Sequence, residues 1–438
     1  MRPRVGAPSK RTKVLVVGAG LAGLSCALRL VEEGCEVEVL EASGAVGGRV
    51  RTDAHEGFLL DQGFQVFLTA YPEAKRLLDY EALATKPFYA GALVRSGGRF
   101  HKLADPFRHP LDALVSALSP LATLGDKLRV AGLRRSVMSA QVEDLFRRDE
   151  TSTAEALDRR GFSSAFVEQF FRPFFGGVFL ERELSTSSRM LEFTFRMFAE
   201  GAASLPARGM GAIPEQLAAR LPAGATRLRA RVASVESGAV TLDTGERLEA
   251  DVVVVAVEQA AAARFFGEEA PRSRRTAVCL YFAAEESPVE GSLLVLNGEG
   301  RGPVNNLCVP SLVAPSYAPP GASLVSVSVL ADEAARAGPE TAGGERLVAE
   351  VRAQLSGWFG ASVNGWRHLK TYTIERALPH QTSVSLCTPE RVRTRTPGVY
   401  QCGDHLDTPS INGALRSGRV AAEALLEDLA RGTSYRAA

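Results

Sequence analysis

The residue order from Lys13 to Thr52, KVLVVGAGLAGLSCALRLVEEGCEVEVLEASGAVGGRVRT, leaves very few folds open. Val14 to Val17 form a short apolar, β-branched run that leads directly into Gly18-Ala19-Gly20-Leu21-Ala22-Gly23. Leu24, Ala27, Leu28 and Val31 then recur at helical spacing up to Gly34, where a glycine can end a helix. Glu36 to Leu40 reads as a second strand and delivers Glu41, 18 residues after Gly23. Strand, glycine turn, helix, strand and acid in that order predict a βαβ unit that cradles a nucleotide. Gly18 makes the tight turn, Gly20 lets the backbone of Ala19, Leu21 and Ala22 approach a pyrophosphate, and Gly23 packs the helix on the sheet. The helix N-terminus adds unpaired donors and about half a positive charge. Glu41, followed by Ala42, is placed to accept hydrogen bonds from an adenosine ribose. A carboxylate there repels a 2′-phosphate, which disfavours NADP. A glycine-rich turn that binds nothing is the bland alternative.

A second glycine cluster carrying a guanidinium, Gly47-Gly48-Arg49, follows the ribose-binding acid. A plain NAD domain has no use for such a loop, whereas a flavin dinucleotide pinned from both sides does. Here the chain resembles the FAD-dependent amine oxidase and phytoene desaturase superfamily, whose signature is this turn followed by GGR. The resemblance implies an α/β fold: a Rossmann-like FAD-binding domain with an inserted α+β substrate domain. Its segments are a disordered leader at 1–12, FAD-binding parts at 13–90, 205–262 and 392–432, a helical substrate part at 91–204, and a sheet-plus-helix part at 263–391. It also implies contacts near the isoalloxazine from Gly63, Phe64 and Gln65, although a plain hairpin turn fits Asp61-Gln62-Gly63 too. Val232 is implied to meet the adenine through its backbone. At the other terminus Gly403-Asp404 ends a strand, and Asp404 is expected to accept from the ribityl chain. A helix beginning near Ser410 is expected to aim its N-terminus, with Ile411, Asn412 and Ala414, at the flavin N1/C2 edge.

Composition narrows the rest. The 438 residues are 45% apolar and 23% charged, as in an ordinary soluble globular protein. A net charge of +1, with no basic stripe, gives no reason to expect nucleic acid. The six cysteines show no CxxC, and Cys26 and Cys35 fall inside the first unit, so a reduced, cytoplasmic chain is expected. The six histidines form no HxxxH pair, so no metal is expected. No apolar run approaches ~18 residues, so no spanning helix is expected, while peripheral membrane contact stays open.

Between the cofactor tracts, Ser152 to Glu155 has capping-box spacing, and a crowd of phenylalanines follows. Phe162, Phe166, Phe170, Phe171, Phe174, Phe175 and Phe179 recur at helical spacing. Such a stripe is more often core than ligand pocket, though a helical domain over a flavin can use it as both. Gly298 to Gly302 looks phosphate-like but has no helix after it; a hairpin turn is expected, and no second dinucleotide site.

The reacting face needs a separate reading. Amine oxidases of the superfamily place a tyrosine where Ser410 stands and a lysine on a strand matching Thr276 to Phe282, which has none. Lys370 could substitute, but a solvated lysine is the plainer reading. Cys402 could suggest a covalent flavin link; a small buried strand residue is the better reading, so FAD is expected to be held without a bond. The ending Ser417-Gly418-Arg419 is similar to that of phytoene desaturases, with Asn412 departing from their glutamate. No catalytic side chain is assigned. The expected function is oxidation of a C–C or C–N bond by hydride transfer to flavin N5, with an apolar, isoprenoid-type substrate favoured and oxygen or a quinone as electron acceptor. The alternatives are an amine oxidase releasing hydrogen peroxide, and a redox-neutral isomerase or flavin-holding binding protein.

Overall fold

The structure, a computed structural model, describes residues 12–112, 119–271, 275–330, 344–379 and 382–432; residues 1–11 of the expected leader lie outside them. Lys13–Val17 is the middle strand of a parallel five-stranded sheet, ordered Thr226–Arg227, Glu36–Leu40, Lys13–Val17, Val252–Val255, Val399–Gln401. Strands in a parallel sheet are buried on both sides, which explains the unbroken valines at 252–255. Successive side chains point to opposite faces. Val14 and Val16 pack with helices α1 (Leu21–Glu32) and α2 (Ile411–Ala430). Leu15, Val17, Val253 and Val255 pack the other way, onto an antiparallel sheet of Val232–Glu236, Ala239–Leu242 and Arg247–Glu249. The sequence reads Arg247 to Val257 as one strand. It is broken at Ala250-Asp251, where the Asp251 carboxylate accepts from the Lys13 N–H at 2.9 Å.

The second half of the molecule is built on a seven-stranded sheet. Its order is Arg367–Leu378, Arg275–Ala284, Ser323–Leu330, Val304–Cys308, Leu294–Asn297, Gly91–Ser96, Arg99–Ala104. Val278, Leu280 and Phe282 face the helix Glu345–Phe359, whose Leu347, Val351 and Leu355 complete that core. Cys279 and Tyr281 face the opposite way, into the core shared with the nucleotide half. Residues 91–104, expected to open a helical part, instead add two strands to this sheet. Gly298–Gly302 joins Leu294–Asn297 to Val304–Cys308, which pair antiparallel.

The two termini meet where α1 crosses α2. A Cβ on Gly418 would fall inside van der Waals contact of the Ala22 carbonyl and lie 3.0 Å from the Cys26 nitrogen, while Ser25 Oγ donates to Leu415 O at 2.7 Å. Gly418→Ala must push the helices apart, and overpacking of this kind costs about 1–3 kcal/mol. Thermal and chemical denaturation should show that loss; unchanged stability would mean the helices are not this close.

Candidate active site

A cavity of about 990 Å³ runs from the nucleotide turn into the substrate half. Gly18, Gly20, Leu21, Ala22 and Glu41 line one end, and Gly403, Asp404, Ile411 and Ala414 reach it from the other terminus. Gly18 has φ +109, and a Cβ there would lie 2.7 Å from the Ala256 carbonyl oxygen, so glycine is required. Gly20 differs: a Cβ there meets nothing within 4 Å, because the position opens onto the cavity. Gly20 also caps α1 without a side-chain bond, leaving the first-turn donors for a ligand. Gly47 bonds back to the first turn (N–H to Ala19 O, 2.8 Å), and a Cβ on Gly48 would stand 3.4 Å from the Gly20 Cα. Both loops thus form one glycine cradle.

Glu41 is held in place by N–H groups of Ala19 (2.9 Å) and Ser43 (2.8 Å) at the cavity edge. Arg49 donates to Asp404 Oδ1 at 2.7 Å and to Ala377 O at 2.9 Å, so the expected pyrophosphate and ribityl partners lie paired to one another. Gly63, Phe64 and Gln65 line the middle, where Gln65 donates to Arg49 O (2.8 Å) and Gln62 O (3.1 Å). The remaining expected residues sit behind the wall. Ala19 bonds Glu41, and Gly23 packs on the Gly18 carbonyl. Ala42 and Val232 are not among the lining residues; Ala230 beside Val232 bonds the Glu41 carbonyl at 2.8 Å. The Asn412 side chain faces away, accepting from the Glu73 N–H at 3.0 Å.

Asp61, at the foot of this middle section, is 3% exposed. Its carboxyl accepts from Thr52 Oγ1 (2.6 Å), Met210 N (2.9 Å) and Tyr317 OH (2.8 Å), while Tyr281 OH donates to its carbonyl (3.0 Å). Four separate stretches of chain converge on the residue that precedes Gln62-Gly63. Burial pushes Asp61 up to about 6, against hydrogen bonds that pull the other way.

The phenylalanines form two ladders at i, i+4 spacing. Phe166, Phe170 and Phe174 stack at 5.3 and 5.7 Å, and Phe171, Phe175 and Phe179 at 6.1 and 5.3 Å. A π-helical turn at Val167–Phe171 offsets the register, and both ladders line the cavity. Phe162 and Phe193 serve only the core.

Lys370 binds Asp53 at 2.8 Å, together with Tyr372 OH at 2.6 Å, and is not among the lining residues. Burial opposes it, but these partners and Gln62 hold Asp53 down at about 2. Cys402 is fully buried beside Cys26, and this contact and burial push its thiol well above the ordinary range. Sequence reasoning missed Glu258, which lines the cavity, caps the helix Gln259–Phe265 and accepts from Arg376 at 3.1 Å. An acid at the end of the valine strand was the available signal. It also missed Arg275, whose strand position carries no motif.

The cavity fits a flavin dinucleotide on the chain's own features: two helix N-termini, a glycine cradle open to the cavity at Gly20, and a carboxylate at its edge. A family model described as flavin containing amine oxidoreductase matches residues 21–426. Protoporphyrinogen oxidase 2, chloroplastic/mitochondrial, of Arabidopsis thaliana is 29% identical over 171 residues, 38% of this chain and 32% of that one. Hydroxyneurosporene desaturase of Cereibacter sphaeroides is 34% identical over 143 residues, 31% and 28% of the two chains. The matched regions thus span about a third or less of these curated relatives. A structure of putrescine oxidase bound to putrescine superposes with TM-score 0.68 at 17% identity, covering 96% of this chain and 100% of that one.

An unfolded aspartate titrates near ~3.9. Folded Asp61 keeps a proton that the unfolded chain releases between about pH 4 and 6, so its contribution to stability is largest at the acid end and falls through that window. The stability of wild type relative to Asp61→Asn should therefore drop by about 2 kcal/mol from pH 4 to pH 6 in urea denaturation. A difference that does not vary with pH would refute the buried-acid assignment.

Proposed function

We propose that this chain, which belongs to the flavin containing amine oxidoreductase family and is an FAD-dependent oxidoreductase, desaturates a C–C bond of an apolar, isoprenoid-type molecule. The carrying observation is a single cavity that passes from the glycine cradle into a chamber walled by two phenylalanine ladders. Bound FAD would supply the two-electron acceptor, with oxygen or a quinone as the final oxidant. The chain's own residues do the rest. Gly20 and the α1 N-terminus would hold the pyrophosphate, Glu41 the ribose, and the α2 N-terminus the far edge of the ring, all without a covalent bond. Asp61 fixes the Gly63 turn against Ala277 and Ile374, where a Cβ on Gly63 would lie 3.8 Å from each. Both neighbours are apolar, so at this face the protein contributes position and exclusion of water. That suits desaturation. An amine oxidase reading has Ser410 in place of the cage tyrosine, and Lys370 is committed to Asp53.

Delivery of such a substrate fits a peripheral contact with lipid. Among the described residues no helix is long and apolar enough to cross a membrane. Phe107, Leu111, Leu124 and Leu128 are nevertheless 61%, 80%, 74% and 66% exposed. Phe107 itself lines the cavity, as do Lys127 and Val130 of the helix Leu124–Met138.

Purified protein should be yellow, and anaerobic addition of a polyene should bleach it while simple amines do not. Bleaching by amines would support the amine oxidase reading instead, and binding without bleaching by either would support a redox-neutral role. Gly20→Val should fold, melting near flavin-stripped wild type, but carry no flavin, since a Cβ at this position meets no protein atom within 4 Å; a yellow variant would overturn the cradle. Leu124→Glu/Leu128→Glu should sediment less with anionic vesicles than wild type at equal flavin content, and equal sedimentation would exclude this rim.

A further inference from the structure

Arg275 has no part in holding the cofactor as described above, yet it lines the cavity. It shares a strand face with Ala277, the neighbour of the Gly63 turn, and two residues along a strand span about 7 Å. The pairing with the neighbouring strand is irregular here. Arg275 stands opposite Leu378 and Ala277 opposite Ile374, so the partner strand carries two extra residues here, with Arg376 at φ +57. Bulges re-aim side chains beside them.

The guanidinium is supported from behind. Glu181 Oε2 lies 3.4 Å from Nη1 and Ser185 Oγ 3.3 Å from Nη2, both long contacts. The Glu181 carboxylate is already satisfied at shorter range by Ser185 Oγ (2.6 Å), Thr186 N (2.6 Å) and Thr186 Oγ1 (2.7 Å). Arginine has five N–H donors in a planar fork. Two loose contacts at its back leave most of that fork for the cavity, where Thr186 is a second polar lining residue. The Arg275 side chain is 12% exposed, so water competes weakly for it.

We propose that Arg275 receives a carboxylate, making the substrate an amphipathic molecule: an apolar body between the phenylalanine ladders and one anionic end at the guanidinium. This deepens the desaturase reading and rests on it for the reaction, though not for binding. A fork matches a carboxylate bidentately, and charge-assisted pairs of this kind are the strong ones.

The test uses the FAD-loaded enzyme at pH 8 with parinaric acid and its methyl ester, whose fluorescence reports entry into an apolar pocket. The acid should bind roughly ten- to hundredfold more tightly than the ester. Arg275→Met should abolish that preference while retaining flavin, and Arg275→Lys should keep part of it. Equal binding of acid and ester by wild type, no binding of the acid, or a full preference surviving in Arg275→Met would each overturn the proposal. The wild-type comparison needs no variant to fold. Flavin bleaching by a polyene is read separately, so a failed oxidation test with an intact acid preference would sink the reaction assignment and leave this site standing.

Discussion

A 2.7 Å ion pair between Arg49 and Asp404 joins the second glycine loop to the final strand-end turn, across 355 residues of chain. Asp404 is 6% exposed, and a buried carboxylate needs a partner of this quality. Everything else at the site is arranged around that junction. Below it, α1 and α2 touch so closely that Gly418 cannot carry a side chain. Beside it, both helix N-termini open onto one cavity. Two distant tracts make a single binding surface because the parallel sheet puts Val399–Gln401 beside Val252–Val255, and that strand beside Lys13–Val17.

The nucleotide half was legible in the sequence because its signals are local. Gly18 and Gly23 each answer to a neighbour within a few residues or to one adjacent strand, and a valine run such as 252–255 has one natural home. The helix Glu345–Phe359 announced itself by period alone. Arg367–Leu378 did not: its alternation is blurred by charged residues on a partly exposed edge strand. Residues 91–104 were lost for a related reason, since their partner Leu294–Asn297 lies some two hundred residues further on.

The reacting half was legible in character but not in detail. The phenylalanine crowd spoke for an apolar chamber, yet which of its rings reach the cavity is set by tertiary packing that no spacing reveals. Asp61 reads as one acid in a turn. Its unusual environment is assembled by Thr52, Met210, Tyr281 and Tyr317, and no spacing rule links those four. Arg275 is hidden similarly, because a bulge opposite it is set by backbone pairing and not by residue type.

The sheet order has a consequence for how the protein comes to life on the ribosome. Val399–Gln401 and α2 follow every other strand of the sheet in the chain, so a nascent chain lacking them has half a cradle, an Arg49 without its carboxylate partner and an uncovered face on α1. Complete cofactor capture must wait until α2 has left the ribosome. Until then the growing polypeptide exposes apolar surface that invites aggregation, and the supply of free flavin can influence yield only once that helix has emerged.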